Sequence, residues 1–517
     1  MIRSSLRALR AGRSPLTTLL WLLVTASRLL SQEPGLQFTV TSARGILPAP
    51  QRGRLFVVIS RTADPEPRTT IGSTDIDAPL VLATDLANFT SGVPGVLNRN
   101  SALFPLERLS DLPTGDYFVQ ALFDDNFELR SVNAPGNLYS KVEKLHLDPL
   151  RNGSVPLVLT GKIPPERLPE ESALVKYVKF QSKLLSAFHG RPIFLRAGII
   201  LPRDFGRNTA AKYPVEVNIG GFGDSYNTAG RLMEEGTNFK RMWLSDSTPR
   251  MIFLQLDGDG PLGDCYQVNS ENNGPYGDAV VSELIPYIEG KYRAVGRPSA
   301  RFLSGGSTGG WVSLALQVFY PDSFNGTWSG FPDPVDFRAY QLIDIYGDTN
   351  AFVNKAGFER PAARSTLGEV LWTMRHEVRM ENVMGAGDSY TMSGGQWGSW
   401  NAVYSPRSRA GTPAPLWDPK TGTIDTTLRN SWKKYDLRLV LQDHWQTLAP
   451  KLKGKLHIWV GDADNYFLNN AVHLLDEFLT KADPPYGGWI RYGPGEGHGW
   501  SPLPHREIMN QMMERMR

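Results

Sequence analysis

From Leu36 to Thr160 the apolar residues fall in short runs broken by turn formers. Leu55–Ile59, Leu80–Leu82 and Tyr117–Phe123 predict strands, and groups such as Pro113-Thr114-Gly115-Asp116 predict turns between them. Neither a long helical period nor an internal repeat interrupts this pattern, so residues 36–160 are expected to form a small all-β sandwich. Residues 161–175 are rich in proline and charge and read as a linker. Beyond them apolar runs alternate with helical periods. Met251–Leu256, Leu456–Val460 and Trp489–Tyr492 predict buried strands. Gly277–Tyr292, with a kink expected at Pro286, Ala471–Thr480 and His505–Met516 predict helices. This order places residues 176–517 in the α/β class, as a mostly parallel sheet flanked by helices. Across residues 331–433 the alternation lapses. Trp372, Trp397, Trp400, Trp417 and Trp432 stand there among many Gly, Ser and Pro, which predicts an irregular insert acting as a lid or pocket wall.

The start of the chain follows another logic. Arg3, Arg7, Arg10 and Arg13 precede an apolar run from Leu16 to Ala26, and no acidic residue occurs before Glu33. This pattern predicts a secretory signal peptide over residues 1–31, hence a secreted or periplasmic protein; an acid-free, Arg- and Ser-rich start also fits a mitochondrial presequence. The formal charge of +3 falls to −1 if those four arginines are removed, so the basicity belongs mainly to the leader. So small a charge on 517 residues argues against a nucleic-acid partner. The apolar run is too short to remain as a membrane anchor. With one cysteine, Cys265, the chain has no internal disulfide and no Cys-based metal cluster.

The chemistry concentrates after residue 300. Gly305-Gly306-Ser307-Thr308-Gly309 is a G-x-S-x-G sequence between a strand end, Phe302-Leu303, and a helical run, Trp311–Phe319. Glycines permit the tight turn that presents the Ser307 hydroxyl at a helix N-terminus. A serine alcohol needs a base, and His498, in Gly495-Glu496-Gly497-His498-Gly499 after the last strand, has small neighbours that let it reach the sheet edge. His457 and His473, inside a strand and a helix, read as packed or surface residues. The base needs a carboxylate. Asp464 leads, because it stands three residues beyond the strand-ending Gly461; Asp462 and Asp333 are the alternatives. For the oxyanion, Val215–Ile219 runs into Gly220-Gly221-Phe222, so N–H groups of Gly221 or Phe222 with that of Thr308 are the candidate donors. Asp257-Gly258-Asp259-Gly260 lacks the further carboxylates of a calcium loop and reads as a turn. No zinc spacing, phosphate loop or dinucleotide fingerprint occurs, so no cofactor is expected.

With Glu283–Arg293 and Arg301–Gly310 in view, the region from Ala197 to Met516 resembles the esterase D-like branch of the α/β-hydrolase superfamily. The resemblance implies a serine carboxylester hydrolase or acyltransferase using Ser307, His498 and Asp464. Two departures bear on the pocket. Ile219-Gly220-Gly221 stands where relatives carry His-Gly, and Thr308 follows the nucleophile where Met or Leu is commoner. The expected substrate is a small-molecule or carbohydrate-linked ester, with tryptophans of the insert as a wall for a sugar or aromatic ring. Acyl transfer, peptide hydrolysis and a non-catalytic binding module with a degenerate hydrolase core are the competing functions. The N-terminal domain is expected to be structural.

Overall fold

A computed structural model describes residues 35–516, so the leader expected over residues 1–31 lies outside the described residues. The N-terminal region holds nine strands: β1 (Gln37–Ser42), β2 (Gln51–Ser60), β3 (Leu80–Phe89), β4 (Gly95–Leu97), β5 (Ala102–Phe104), β6 (Gly115–Asp124), β7 (Leu138–Ser140), β8 (Glu143–Leu147) and β9 (Ser154–Lys162). They pair in the order β4-β1-β9-β7-β6-β2-β3-β5, with β8 beside β6. The sheet folds over itself. A Cβ on Gly95 of edge strand β4 would stand 2.5 Å from Leu55 of β2 and 2.9 Å from Leu86 of β3, so the backbone of β4 lies directly across the core from both. Leu55, Val57 and Ile59 point into that core with Phe38, Val40 and Phe123.

Phe56 and Val58 alternate to the other face, yet they too are fully buried. What covers them is a helix from far along the chain, α2 (Met374–Met384), whose Met380 and Val383 pack on Phe56, Val58, Val81 and Phe104. That is why Leu55–Ile59 is an unbroken apolar run rather than an alternating one.

Residues 163–172 cross to the second region and are pinned where Glu166 meets Arg196 at 3.2 Å and the Tyr226 hydroxyl at 2.9 Å. There an eight-stranded sheet comprises β10 (Val175–Ser182), β11 (Ile193–Ile200), β12 (Val215–Ile219), β13 (Ile252–Leu256), β14 (Arg301–Gly306), β15 (Thr327–Gly330), β16 (Leu456–Gly461) and β17 (Trp489–Gly493). The order is β10-β11-β13-β12-β14-β15-β16-β17. β10, β11 and β13 pair antiparallel, and every pair from β13–β12 to β16–β17 is parallel. All residues of β13 and β16 are buried, as parallel strands covered on both faces require. Flanking helices include α1 (Thr308–Phe319), α4 (Leu437–Leu452), α5 (Asn469–Lys481) and α6 (His505–Glu514). This is the α/β-hydrolase arrangement behind a β-rich region.

Around Pro286 the helical path runs Tyr276–Ala279, a π turn at Val280–Leu284, then Ile285–Lys291, and the wider turn accommodates the missing N–H. One expectation needs correction: the insert is not irregular. It contains a hairpin (Pro361–Arg364 with Val370–Thr373), α2, and α3 (Gln396–Tyr404). Trp397, Trp400, Trp417 and Trp432 are buried within the main hydrolase core, while Trp372 and Trp400 also line a cavity, so the insert packs as core and pocket wall. Helix α3 carries Gly398 and Ser399 in mid-course, which hid its period.

Candidate active site

The turn at Ser307 is built by β14 meeting α1. Ser307 sits at φ 57° and ψ −123°, a strained conformation costing about 1–3 kcal/mol that the surroundings must enforce. They do so by close approach. A Cβ on Gly309 would lie 1.9 Å from the Ile219 carbonyl oxygen, and one on Gly310 2.4 Å from that of Gly330. Thr308 is the first residue of α1, where N–H groups have no acceptor within the helix. Gly221 faces the turn, since a Cβ there would stand 3.6 Å from the Ser307 Cβ. Ser307, Gly221, Phe222 and His498 all line one cavity of about 1100 Å³.

His498 is reached through the loop after β17. Its N–H donates to Asn465 Oδ1 at 2.9 Å, and its Nδ1 lies 2.8 Å from Asp464 Oδ2. Asp464 is fully buried; its other oxygen accepts the N–H groups of Tyr466 (2.9 Å) and Leu468 (3.2 Å). Phe331 and Tyr466 flank the imidazole edge-on, at 4.8 and 4.9 Å between centroids. Among the described residues no hydrogen bond joins Ser307 to His498, although both face the cavity. Such bonds often tighten only with substrate present.

The other carboxylates are elsewhere. Asp462 is 41% exposed and lies 3.7 Å from the His473 imidazole. Asp333 is buried and makes no hydrogen bond to His498; its Oδ2 accepts from Tyr266 Oη (2.5 Å), Thr308 Oγ1 (2.9 Å) and Trp400 Nε1 (3.2 Å). Burial pushes its carboxyl up. Asp333 thereby ties the residue after Ser307 to the insert. The Asp257 turn leads into a small hairpin, Asp259–Gly260 with Gly263–Asp264, and Asp257 pairs with Arg196 at 2.6 Å. No group of His, Cys, Asp and Glu among the described residues has the geometry to hold a metal ion.

Beneath the turn lies a buried polar chain that the sequence reading missed. Asn218 Nδ2 donates to Ser304 Oγ at 2.9 Å, Ser304 Oγ donates to Glu216 Oε1 at 2.7 Å, and His505 Nε2 lies 3.2 Å from Glu216 Oε2. Burial alone would lower the pKa of His505, but Glu216 outweighs it and the net direction is upward.

Two further cavity residues were missed, Glu377 and Glu381 on α2. Their i, i+4 spacing was the available signal, with Thr373 Oγ1 capping the helix through the His376 N–H at 3.3 Å. Trp372 Nε1 donates to Glu377 Oε2 at 3.3 Å. Glu381 accepts the N–H groups of Trp397 (2.8 Å) and Gly398 (2.9 Å) at the start of α3. Burial raises both carboxyls, that of Glu381 to about 8. Nothing in the sequence marked the last contributor: Ile71-Gly72-Ser73-Thr74, from the N-terminal region, completes the cavity wall.

A mostly parallel sheet with a strained serine turn at the end of its fifth strand and a buried Asp bonded to a His at the same edge defines an α/β-hydrolase. Residues 196–483 match the model of the family described as "Putative esterase". The chain belongs to that family and is a carboxylester hydrolase. Solved structures similar to it include a ferulic acid esterase, at 15% identity over 66% of this chain and 98% of that one, TM-score 0.41. Others are an S-formylglutathione hydrolase from Agrobacterium tumefaciens (13%, 68% and 99%, 0.38) and a fluorophosphonate-binding serine hydrolase of Staphylococcus aureus (12%, 66% and 98%, 0.39). A comparison with curated proteins finds no match.

Proposed function

We propose that the protein is an exported serine esterase in which Ser307, His498 and Asp464 form the catalytic triad. Ser307 Oγ attacks the ester carbonyl while His498 Nε2 takes its proton. The tetrahedral oxyanion is held by the N–H groups of Thr308 and of Gly221 or Phe222, each donor contributing on the order of 3 kcal/mol in the transition state. Collapse expels the alcohol, which receives the proton from His498, and leaves an acyl-Ser307. Water, deprotonated by His498, attacks that acyl carbon and releases the acid. Asp464 keeps the Nδ1 proton of His498 in place throughout.

The observation that carries this reading is the 2.8 Å bond between His498 Nδ1 and the fully buried Asp464, at a cavity that Ser307 also lines. Export rests on the arginine-led apolar start alone; among the described residues no helix is long and apolar enough to cross a membrane. Labelling of the purified protein with a fluorophosphonate probe tests the mechanism. Wild type is expected to label, and Ser307→Ala and His498→Ala to lose the label. A folded wild type that takes no label overturns it and favours the non-catalytic module.

A further inference from the structure

The cavity is walled by two distant stretches of chain besides the hydrolase core. Helix α2 presents Glu377, and the N-terminal segment Ile71–Thr74 closes against it. The two are joined by several bonds. Thr74 O meets His376 Nε2 at 3.1 Å, and Arg54 Nε donates to the Val383 carbonyl at 2.9 Å. Arg54 also bridges Asp85 of β3 (2.7 Å) and Asp388 of the insert (2.8 Å). The N-terminal region is therefore part of the site and not a detached shield.

The wall is rich in carboxyls, and His505, the cavity imidazole whose pKa is raised, is paired with Glu216. Asp333, Glu377 and Glu381 line the cavity, and no lining residue is Lys or Arg. Glu381 spends both oxygens on protein donors, and Asp333 takes the donors of Tyr266, Thr308 and Trp400 on Oδ2 at the foot of the serine turn. Glu377 is different: the Trp372 indole donates to its Oε2 at 3.3 Å, and the carboxyl lines the cavity. A carboxyl in a poorly solvated wall with no cation paired to it favours ligands that donate hydrogen bonds and repels anions.

We infer that Glu377, Ser73 and Thr74 form a specificity subsite shared by the two regions, which takes a substrate group bearing O–H or N–H donors and no negative charge. This rests on the esterase reading above. It excludes substrates whose recognised end is a carboxylate or phosphate, and it assigns the N-terminal region a role in selecting the ester.

The test is a set of short esters whose chains end in methyl, hydroxyl, ammonium or carboxylate. The variable end lies on the alcohol side in one series and on the acyl side in another. With wild type, the hydroxyl or ammonium ester of at least one series is expected to exceed the methyl ester about tenfold in kcat/KM, with the carboxylate ester lowest. Glu377→Gln keeps an acceptor oxygen and removes the charge. It is expected to reduce the ammonium preference by about tenfold, the hydroxyl preference less, and to raise the carboxylate ester toward the methyl one. Ser73→Trp, a change on the other wall, is expected to lower kcat/KM for the longer esters relative to an acetate. Which donor arm leads tells a hydroxyl-bearing substrate from an amine. An enzyme active on acetates whose rank order is flat, or led by the carboxylate, or unmoved by Glu377→Gln, overturns the subsite alone. A wild type that neither cleaves any ester nor takes the fluorophosphonate label overturns the esterase reading and the subsite with it.

Discussion

Replacing Asp464 with asparagine alters one proton and almost no volume. Asp464 Oδ1 is held by the N–H groups of Tyr466 and Leu468, at 2.9 and 3.2 Å, so in the variant that position favours the amide oxygen. The amide nitrogen is then left facing His498 Nδ1, where the carboxylate now stands at 2.8 Å. A donor there forces Nδ1 to accept, which puts the imidazole proton on Nε2. His498 in that tautomer cannot take the proton of Ser307. The expected loss is on the order of 10⁴ in kcat, or about 5 kcal/mol of transition-state stabilisation. Steady-state hydrolysis of 4-nitrophenyl acetate reads it, with thermal melting to show that the fold persists. Asp462→Asn serves as the internal comparison: this side chain is 41% exposed and is expected to change kcat less than about threefold. Retention of more than about a tenth of wild-type kcat by Asp464→Asn, with a large loss in Asp462→Asn or a folded Asp333→Asn, would refute the assignment of the acid.

Gly309→Ala is expected to destabilise the fold by at least about 3 kcal/mol, because its Cβ would meet the Ile219 carbonyl oxygen at 1.9 Å and neither backbone can withdraw; denaturant unfolding measures it, and a near-native midpoint would contradict the close approach. Burial lowers the pKa of His457 from 6.5 to about 4, despite its bond to the Thr327 carbonyl. The unfolded chain therefore binds more protons between those values, and stability should fall by up to about 3 kcal/mol as pH drops from 6.5 toward 4. His457→Gln should flatten that acid limb in urea unfolding run across this range; an unchanged slope would place the effect elsewhere. Arg54→Ala removes a buried guanidinium that joins β2 to the Val383 carbonyl and to two half-exposed aspartates. A loss of about 2 kcal/mol is expected, discounted for those solvated partners, together with faster proteolysis near α2; equal stability would show that apolar packing alone joins the two regions.

Local pattern determined much of this protein. The glycines around Ser307, the apolar runs that became β2, β6, β13, β16 and β17, and the serine–aspartate–histidine order are all legible, because backbone strain and strand burial leave marks on adjacent residues. Helix α3 of the insert escaped notice, since its nine residues include Gly398 and Ser399, which blur any period. Choosing among Asp333, Asp462 and Asp464 required the fold. All three follow strands; Asp333 is buried but turned to Tyr266, Thr308 and Trp400, Asp462 is half exposed, and Asp464, held by two N–H donors on its far oxygen, lies 2.8 Å from His498 Nδ1. The unbroken Leu55–Ile59 run announced burial on both faces, but the cover, α2, lies some 300 residues further along the chain. The same packing brings Ile71–Thr74 to the cavity beside Glu377. Contacts of that separation are fixed by surface complementarity between regions, and that property has no local signature in a sequence.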